Sequence, residues 1–411
     1  MANKPKIRFK GFDDAWEQRK LLSCIQSITD FRGRTPKKLG MDWSESGYLA
    51  LSALNVKDGY IDFSQDVHYG NQELYDKWMS GKELHRGQVL FTTEAPMGNV
   101  AQVPDNKGYI LSQRTIAFDV EEKILSENFL ATLLRTPNVF NDLIALSSGG
   151  TAKGVSQKSL SGLDVVIPKN IDEQNKLADY FINLDNLITL HQRKCDQMKE
   201  LKKYMLKKMF PQNGAKVPEI RFDGFTDDWE QRKLGDLVGI YDGVHQTPEY
   251  QDSGIMFLSV ENIATLKSEK YISKEAFERD YKVYPEKGDI LMTRIGDVGT
   301  TNVVETAKKV AFYVSLALLK PNGINSYFLS NAMKTNAFQK GLRERTLVTA
   351  IPQKINKDEI GKIDIFITNN DVEQQKIGAY FSTLDHLITL HQHKCNELRE
   401  IKKYMLKNMF I

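Results

Sequence analysis

Two stretches of the chain carry the same long pattern of apolar and polar positions. From about Asp172 to Phe210, apolar residues recur every three or four positions with charged residues between them, which predicts one continuous amphipathic helix. The pattern returns 200 residues later, from about Asp371 to Phe410. The identical stretches within the repeat are Leu187–Gln192 with Leu387–Gln392 and Lys202–Lys207 with Lys402–Lys407. At about 1.5 Å per residue each helix would be roughly 57 Å long, and an apolar stripe of that length needs a partner.

Both predicted helices have sequence signals at their ends. Asn170 precedes Glu173 by three residues, and Asn370 precedes Glu373 by three, which resembles a capping box. Pro211 is expected to end the first helix, because proline cannot continue the hydrogen-bonded turns.

The sequence leaves two ways of covering the apolar stripes. The helices could pair with each other as an antiparallel coiled coil, or each could pack on its own globular domain. Antiparallel pairing would bring His191 near His391 at a pseudo-dyad. A metal ion between these two histidines is not favoured over a packed or solvated pair.

A short motif before each middle region is repeated as well. The stretches Ile7–Phe9 and Trp16–Leu21 recur 213 residues later as Ile220–Phe222 and Trp229–Leu234. We therefore predict two equivalent halves. Their boundaries are a first globular domain at residues 1–169, a first long helix at 170–210, a second globular domain at 211–369 that starts with a linker at 211–218, and a second long helix at 370–411.

The globular domains are expected to have an α+β fold, since strand-like runs and short helices do not alternate regularly. The strand-like runs are Val89–Phe91, Ile116–Phe118 and Val165–Ile167 in the first half, and Ile290–Met292, Val314–Leu318 and Ile363–Ile367 in the second. The predicted short helices are Glu127–Leu134, Val139–Leu146, Tyr327–Met333 and Ala337–Arg343. The region between the opening motif and the long helix is 13 residues longer in the first half, and most of the difference falls in glycine-containing loops before Gly87. A shared framework with different loops is what two different recognition surfaces would require.

Composition narrows the functional classes only a little. The net charge of +3 neither requires nor excludes a nucleic-acid partner, because a local basic surface is what matters. Three cysteines give neither a disulfide framework nor a metal-binding spacing, and no stretch has the apolar length of a membrane span. We expect a soluble, cytoplasmic protein.

Motifs of the common catalytic sites are absent from the sequence. There is no phosphate-binding loop, dinucleotide fingerprint, nucleophile elbow or zinc-like Cys/His cluster, and no Asn/Asp-Pro-Pro-aromatic run of the kind found in amino-methylating enzymes. The pattern therefore favours a binding protein over an enzyme.

Three pairs of loops carry the side chains that suit nucleic-acid recognition. Arginine can read guanine and glutamine can read adenine through paired hydrogen bonds, whereas lysine and small residues suit phosphate contacts. Solvated surface loops and plain turns remain the alternative. The candidate DNA-binding residues are Arg32, Arg34, Thr35, Lys37 and His245, Gln246, Thr247 in the first pair, Thr93 and Arg294 in the second, and Lys153 and Arg345 in the third.

The whole chain resembles the specificity subunits of type I restriction–modification systems. The resemblance rests on two divergent domains, each followed by a near-identical long helix that opens with Asp172-Glu173-Gln174 or Val372-Glu373-Gln374. The Trp-Glu-x-x-Lys-Leu motifs and the Gly-Asp-Ile-Leu run at Gly288 also match. Each motif alone is weak, whereas their arrangement is specific.

The resemblance implies a function for each part. Two target-recognition domains would each read half of a bipartite site on double-stranded DNA. The paired helices would set the spacer and dock two methyltransferase (modification) subunits, and restriction subunits with helicase and nuclease activity would join them. No cofactor is expected in this chain, since S-adenosylmethionine would bind the partner. A DNA methyltransferase or nuclease with its own catalytic site, or a coiled-coil scaffold that binds only protein, are the alternatives.

Overall fold

The computed structural model describes residues 4–148, 153–212 and 214–411, which form two compact units. Unit 1 comprises the chain up to His191 together with His393–Ile411, and unit 2 comprises Gln192–Gln392. Each unit therefore contains one globular domain and parts of both long helices.

Unit 1 contains nine strands and four short helices before the first long helix, counted over its described residues. Its strands are β1 (Glu17–Lys20), β2 (Ile25–Asp30), β3 (Tyr48–Leu51), β4 (Tyr69–Gly70), β5 (Val89–Thr92), β6 (Val100–Gln102), β7 (Tyr109–Leu111), β8 (Thr115–Val120) and β9 (Asp164–Ile167). Its helices are α1 (Gln72–Met79), α2 (Glu127–Leu133), α3 (Pro137–Leu146) and α4 (Gln157–Leu160), followed by the long helix α5 (Ile171–Lys208).

Unit 2 repeats this order of elements. Its strands are β10 (Glu230–Lys233), β11 (Val238–Asp242), β12 (Ile255–Leu258), β13 (Tyr271–Ile272), β14 (Ile290–Ile295), β15 (Asp297–Val303), β16 (Val310–Phe312), β17 (Leu316–Pro321) and β18 (Asp364–Ile367). Its helices are α6 (Lys274–Asp280), α7 (Ser326–Ala332), α8 (Asn336–Arg345), α9 (Lys357–Gly361) and the long helix α10 (Asp371–Asn408).

The sheets have the same topology in both units. In unit 1 a four-stranded antiparallel sheet has the order β2-β8-β5-β6, and in unit 2 the order is β11-β17-β14-β15. A three-stranded sheet, β4-β3-β7 or β13-β12-β16, contains one parallel pair in each unit. The motif strand β1 or β10 pairs antiparallel with β9 or β18. The α+β fold predicted from the sequence is confirmed.

The long helices run antiparallel within each unit. In unit 1, Lys402 Nζ lies 2.6 Å from Asp185 Oδ1, and the Phe181 and Phe410 rings lie 5.7 Å apart. Phe181 precedes Asp185 in α5, whereas its partner Phe410 follows Lys402, the partner of Asp185, so the two helices run in opposite directions. Unit 2 repeats the arrangement with Lys202 Nζ at 2.7 Å from Asp385 Oδ2 and the Phe210 and Phe381 rings 6.0 Å apart.

The helices also pack on the globular domains. The apolar stripes are therefore covered in both of the ways that the sequence allowed, by the other helix and by a domain. Leu177, Phe181 and Leu184 of α5 are buried in the core that contains Val165 of β9. Phe410, near the end of the chain, lies in the same core. The apolar stripe is thus shared between a helix partner and a domain partner.

The repeated opening motif binds the start of each long helix. Arg8 donates two hydrogen bonds to the Glu173 carboxylate, at 2.7 and 2.8 Å, and Trp16 Nε1 lies 3.2 Å from Glu173 Oε1. Arg221 binds Glu373 in the same way, at 2.6 and 2.9 Å. A paired guanidinium–carboxylate contact is stronger than a hydrogen bond between neutral groups.

The predicted capping box forms only in part at the first long helix. The Asn170 side chain does accept a hydrogen bond from the Asp172 backbone N–H, at 2.7 Å. Glu173, however, binds the arginine of the opening motif, because that partner is charged and offers two donors. Glu173 is therefore a clamp between motif and helix.

Candidate nucleic-acid interface

The first basic loop joins β2 to a short 3-10 turn at Pro36–Leu39. The Thr35 hydroxyl caps this turn by accepting a hydrogen bond from the Lys38 backbone N–H. Arg32 pairs with Asp30 at 2.6 Å, and this hydrogen bond raises the pKa of the Arg32 guanidinium. Arg32 and Lys37 are exposed, so both can reach a ligand outside the domain.

Arg34 is held more tightly than its loop neighbours. Its Nη1 donates to the backbone carbonyl of Trp78, and its guanidinium lies 4.3 Å from the centre of the Phe31 ring. The side chain is half-buried. Arg34 therefore supports the loop, and any base contact has to use its remaining N–H groups.

A cleft of about 510 Å³ brings part of this loop together with residues that the sequence did not single out. Its lining includes Arg34, Thr35 and Lys37, together with Trp43, His68 and Arg114. The Trp43 and His68 rings stack at 5.4 Å, and Asp66 lies 3.2 Å from His68. Trp43 and His68 lie outside any periodic pattern, so only the folded chain shows them as neighbours.

Unit 2 has a related aromatic–cation pair. The Ala50 N–H donates to the His68 carbonyl in unit 1, and the Phe257 N–H donates to the Lys270 carbonyl in unit 2. The Lys270 amino group lies 5.6 Å from the centre of the Tyr250 ring and 2.7 Å from Glu261. Each unit therefore presents an aromatic ring, a nitrogen-bearing side chain (His68 or Lys270) and a carboxylate together.

The loop after β11 keeps its predicted exposure. His245, Gln246 and Thr247 are all exposed, immediately after Val244 forms an isolated bridge with Tyr313. Their side chains are available to an external partner, and their DNA contacts remain a prediction.

Thr93 is buried, which counts against its predicted contact with DNA. This side chain is 1% exposed, and its hydroxyl donates to the Arg114 carbonyl at 3.3 Å. A buried hydroxyl already satisfied by the backbone cannot read a base without rearrangement.

Arg294 is buried as well, which counts against its predicted contact with DNA. The segment from Thr293 to Gly299 is a β-hairpin turning at Gly296, which has a φ of +82°, and is not an open loop. Arg294 is 7% exposed and pairs with Asp242, while burial lowers the pKa of its guanidinium. This arginine ties β14 to the end of β11.

The third pair of loops is described only in part. Residues 149–152 lie outside the described residues, and Lys153 next to them is exposed. Arg345 ends α8, and its Nη1 lies 3.2 Å from Glu359 Oε2. Lys153 is thus the freer of the two for a phosphate contact.

The described residues offer neither a cluster suited to a metal ion nor a helix suited to a bilayer. Across residues 4–148, 153–212 and 214–411, no group of three or more His, Cys, Asp or Glu side chains is arranged to hold a metal ion. Within the same ranges, the helices lack the combined length and apolar character of a bilayer-spanning segment.

Comparison with known families gives a match over most of the chain. A family model described as type I restriction modification DNA specificity domain matches residues 14–200 and again residues 226–400. The two matches coincide with the two sequence halves.

Individual relatives agree with the family match. The specificity subunit of the type I restriction enzyme MjaVIII from Methanocaldococcus jannaschii is 21% identical over 408 residues, covering 95% of this chain and 91% of the relative. The crystal structure of the type I restriction–modification S subunit from M. genitalium superposes with a TM-score of 0.69 at 15% identity, covering 99% of both chains. A structure from a study of complex assembly and conformational transition of the type I system gives a TM-score of 0.50 at 18% identity, covering 98% and 99%. At these identities, the structural likeness concerns the fold.

Proposed function

Because this chain belongs to the family of type I restriction–modification DNA specificity domains, we propose that it selects the DNA target of such a system, with each unit reading one half of a bipartite site. The observation that carries the proposal is the internal repeat. Two units share one sheet topology, while their exposed loops differ in length and sequence. Equal frameworks with unequal surfaces suit the reading of two different half-sites.

The proposed reading surface in each unit has two parts. One is the loop after β2 or β11, and the other is the aromatic ring with the His68 or Lys270 side chain beside it. In unit 1 it comprises Arg32, Lys37 and the Trp43–His68 stack. In unit 2 it comprises Gln246 and the Tyr250–Lys270 pair. Hydrogen-bonding side chains can read base edges, and lysine can position the duplex through phosphates.

Partner docking is supported by apolar side chains that remain exposed on the long helices. Leu190 and Tyr404 in unit 1 are matched by Leu390 and Tyr204 in unit 2, and all four are at least 46% exposed. Large apolar side chains at equivalent places suggest two protein interfaces. We propose that they receive two methyltransferase subunits, which would bind S-adenosylmethionine, and that restriction subunits join this core.

For the domain boundaries we propose the limits predicted from the sequence. Residues 1–169 and 211–369 would be the target-recognition domains, and 170–210 and 370–411 the spacer helices. A target on cellular DNA would place the complex in the cytoplasm. A methyltransferase or nuclease with its own catalytic site gains no support from the family, which is described as a specificity domain.

The test is to map DNA methylation made by the chain with its modification subunits, compared with Gln246→Ala. We expect one bipartite motif for the wild type. The variant should lose discrimination by about 1–3 kcal/mol at one position of one half-site only, because a bidentate base contact is lost.

Control and contrary outcomes are distinct. Glu344→Ala, on the exposed face of α8 in unit 2, should leave both half-sites unchanged. A uniform loss of affinity in the Gln246 variant with a smaller salt dependence would mark a phosphate contact instead. Methyl transfer by the chain without partners would reject the proposed function.

A further inference from the structure

Unit 2 contains an open cleft whose counterpart in unit 1 is closed by the chain itself. The cleft has a volume of about 1020 Å³ and is bounded by α7, β15, the turn after Val260–Asn262 and the two long helices. Most of its lining residues are polar, and they include Lys202, Thr265, Thr301, Asn331, Lys334 and Asp385. All of these residues belong to unit 2.

The matching position in unit 1 is occupied by Arg135. Arg135 lies two residues after α2, as Lys334 lies two residues after α7. The Arg135 Nε donates to the Asp58 carboxylate, and its Nη1 lies 2.9 Å from Asp185 Oδ2. Lys402 also binds Asp185, at 2.6 Å. Two cations and two carboxylates therefore balance in unit 1.

Unit 2 lacks one of the two carboxylates. Lys202 binds Asp385 at 2.7 Å, as Lys402 binds Asp185. Among the residues that the structure describes, the Lys334 amino group has no hydrogen-bond or ion-pair partner. One cation of the cluster is therefore left without a counter-charge.

The loop that carries the missing carboxylate is shorter in unit 2. Asp58 comes two residues after buried Val56, whereas Thr265 comes two residues after buried Ile263. The Asn55 side-chain amide donates a hydrogen bond to the carbonyl of Gln65, ten residues later, whereas the Asn262 amide donates to the carbonyl of Lys267, five residues later. The segment that fills unit 1 therefore has no equivalent long enough to fill unit 2.

The electrostatics of the two cations differ accordingly. Burial, together with the charge of Lys202, lowers the pKa of Lys334 to about 8, although Asp385 acts in the opposite direction. Burial also acts on Arg135, but Asp185 and Asp58 raise its pKa above the ordinary value. Lys267 and Glu305, which also line the cleft, offset each other, so the cleft has an excess of positive charge when Lys334 is protonated.

We propose that this cleft is a receptor site for an acidic side chain on a loop of a partner protein subunit, which sets a carboxylate beside Lys334 as Asp58 sets one beside Arg135. The inference rests on the proposed function for the existence of partner subunits. Unit 1 shows the chemistry of the occupant, since a carboxylate on a protein loop fills the equivalent place. Lys334 is half-buried inside the cleft, where a side chain on a flexible loop can reach it.

The two partner copies are therefore held differently. The copy at unit 2 gains a charge-assisted contact with Lys334, whereas at unit 1 the matching cation is already neutralised from within the chain. Removal of one member of a buried charge pair at an interface weakens binding strongly. Loss of Lys334 should thus weaken one copy and spare the other.

The experiment compares wild type, Lys334→Met, Lys334→Arg and the exposed control Lys340→Met, each co-purified with the modification subunit and weighed by native mass spectrometry. We expect two partner copies for wild type, Lys334→Arg and Lys340→Met. For Lys334→Met we expect one retained copy and at least about a tenfold rise in the Kd of the second. A carbodiimide, which joins amines directly to carboxylates, should link Lys334 to an Asp or Glu of the partner.

Each other outcome counts against the inference. Normal assembly by Lys334→Met, with wild type also binding two copies, would reject the cleft while leaving the proposed function intact. Failure of wild type to bind any partner would reject the proposed function itself. Weaker DNA binding by the Lys334→Met chain alone would show that the cleft holds a phosphate and would overturn the proposal.

A second variant tests the occupant without removing the lysine. Thr265→Asp adds a carboxylate to the cleft wall in the position of Asp58 and should compete with the partner. We expect it to weaken one partner copy while the thermal stability of the free chain is kept or raised. The proposal would be contradicted if the variant bound both copies as well as the wild type does and if Lys334 formed no crosslink to an Asp or Glu of the partner.

Discussion

At the residue scale, the same buried ion pair closes both units. Arg8 with Glu173 and Arg221 with Glu373 join a flanking motif to the first turn of a long helix, and both glutamates are at most 2% exposed. Gln174 adds hydrogen bonds from its amide to the carbonyls of Ile124 and Pro168. The Glu-Gln pair of each helix is therefore a structural clamp.

Breaking this clamp is expected to destabilise unit 1. Glu173→Gln should lower the free energy of unfolding by about 3–5 kcal/mol, because Arg8 would keep its charge with no ionised partner. Chemical denaturation followed by circular dichroism measures the change. The exposed pair Lys20–Asp164 supplies the control, since Asp164→Asn should change the stability far less than Glu173→Gln. Similar losses in both variants would refute the clamp.

At the scale of elements, each long helix has two apolar faces, one buried in a domain core and the other exposed. Phe181 and Leu184 are buried in the domain core, whereas Leu190 remains 46% exposed a few residues later. A helix buried on one side and apolar on another is expected where a further protein binds. The β14–β15 hairpin shows the opposite case, in which a loop-like sequence is fixed by pairing with its neighbour strand.

Charge placed on the exposed apolar face should disrupt docking without unfolding the chain. Leu190→Asp and Leu390→Asp should each lose one partner copy, because a desolvated carboxylate opposes an apolar interface. Light scattering of complexes co-purified with the modification subunit measures the stoichiometry. Leu390→Met is the conservative control and should retain both copies. Full assembly of both aspartate variants would exclude this face as the docking surface.

At the scale of the whole molecule, the repeat assigns the helices to both units. Unit 1 takes the first half of α5 and the end of α10, and unit 2 takes the remainder of each helix. The division falls at His191/Gln192 in α5 and at Gln392/His393 in α10. Residues inserted at these two places would leave the contacts within each unit intact.

This division allows a test of the helices as a spacer. One heptad added at each of the two places should lengthen the helices by about 10 Å, which corresponds to about 3 base pairs. We expect the half-sites to stay the same and the unspecified spacer between them to grow. Methylation mapping with the partner subunits measures both. An unchanged spacer in an active, folded variant would show that the helices do not set the distance.

Much of the framework could be read from the sequence. The helices α5 and α10 begin and end within three residues of their predicted limits, because a long apolar period and terminal signals leave few alternatives. The strands β5, β8 and β14 coincide with the predicted apolar runs, whereas β17 starts at Leu316, two residues after the predicted start. The candidate interface was less predictable, since Thr93 and Arg294 carry suitable side chains but lie buried.

The sequence by itself determined the duplication, the α+β class, the long helices and the family. These features depend on local period and on internal identity, which survive without knowledge of contacts. Tertiary structure decided which side chains face outward, that Glu173 binds Arg8, and that Lys334 lacks the carboxylate that Arg135 has in Asp58. Such facts depend on residues far apart in the chain meeting in space, and their side-chain chemistry alone does not specify which of them meet.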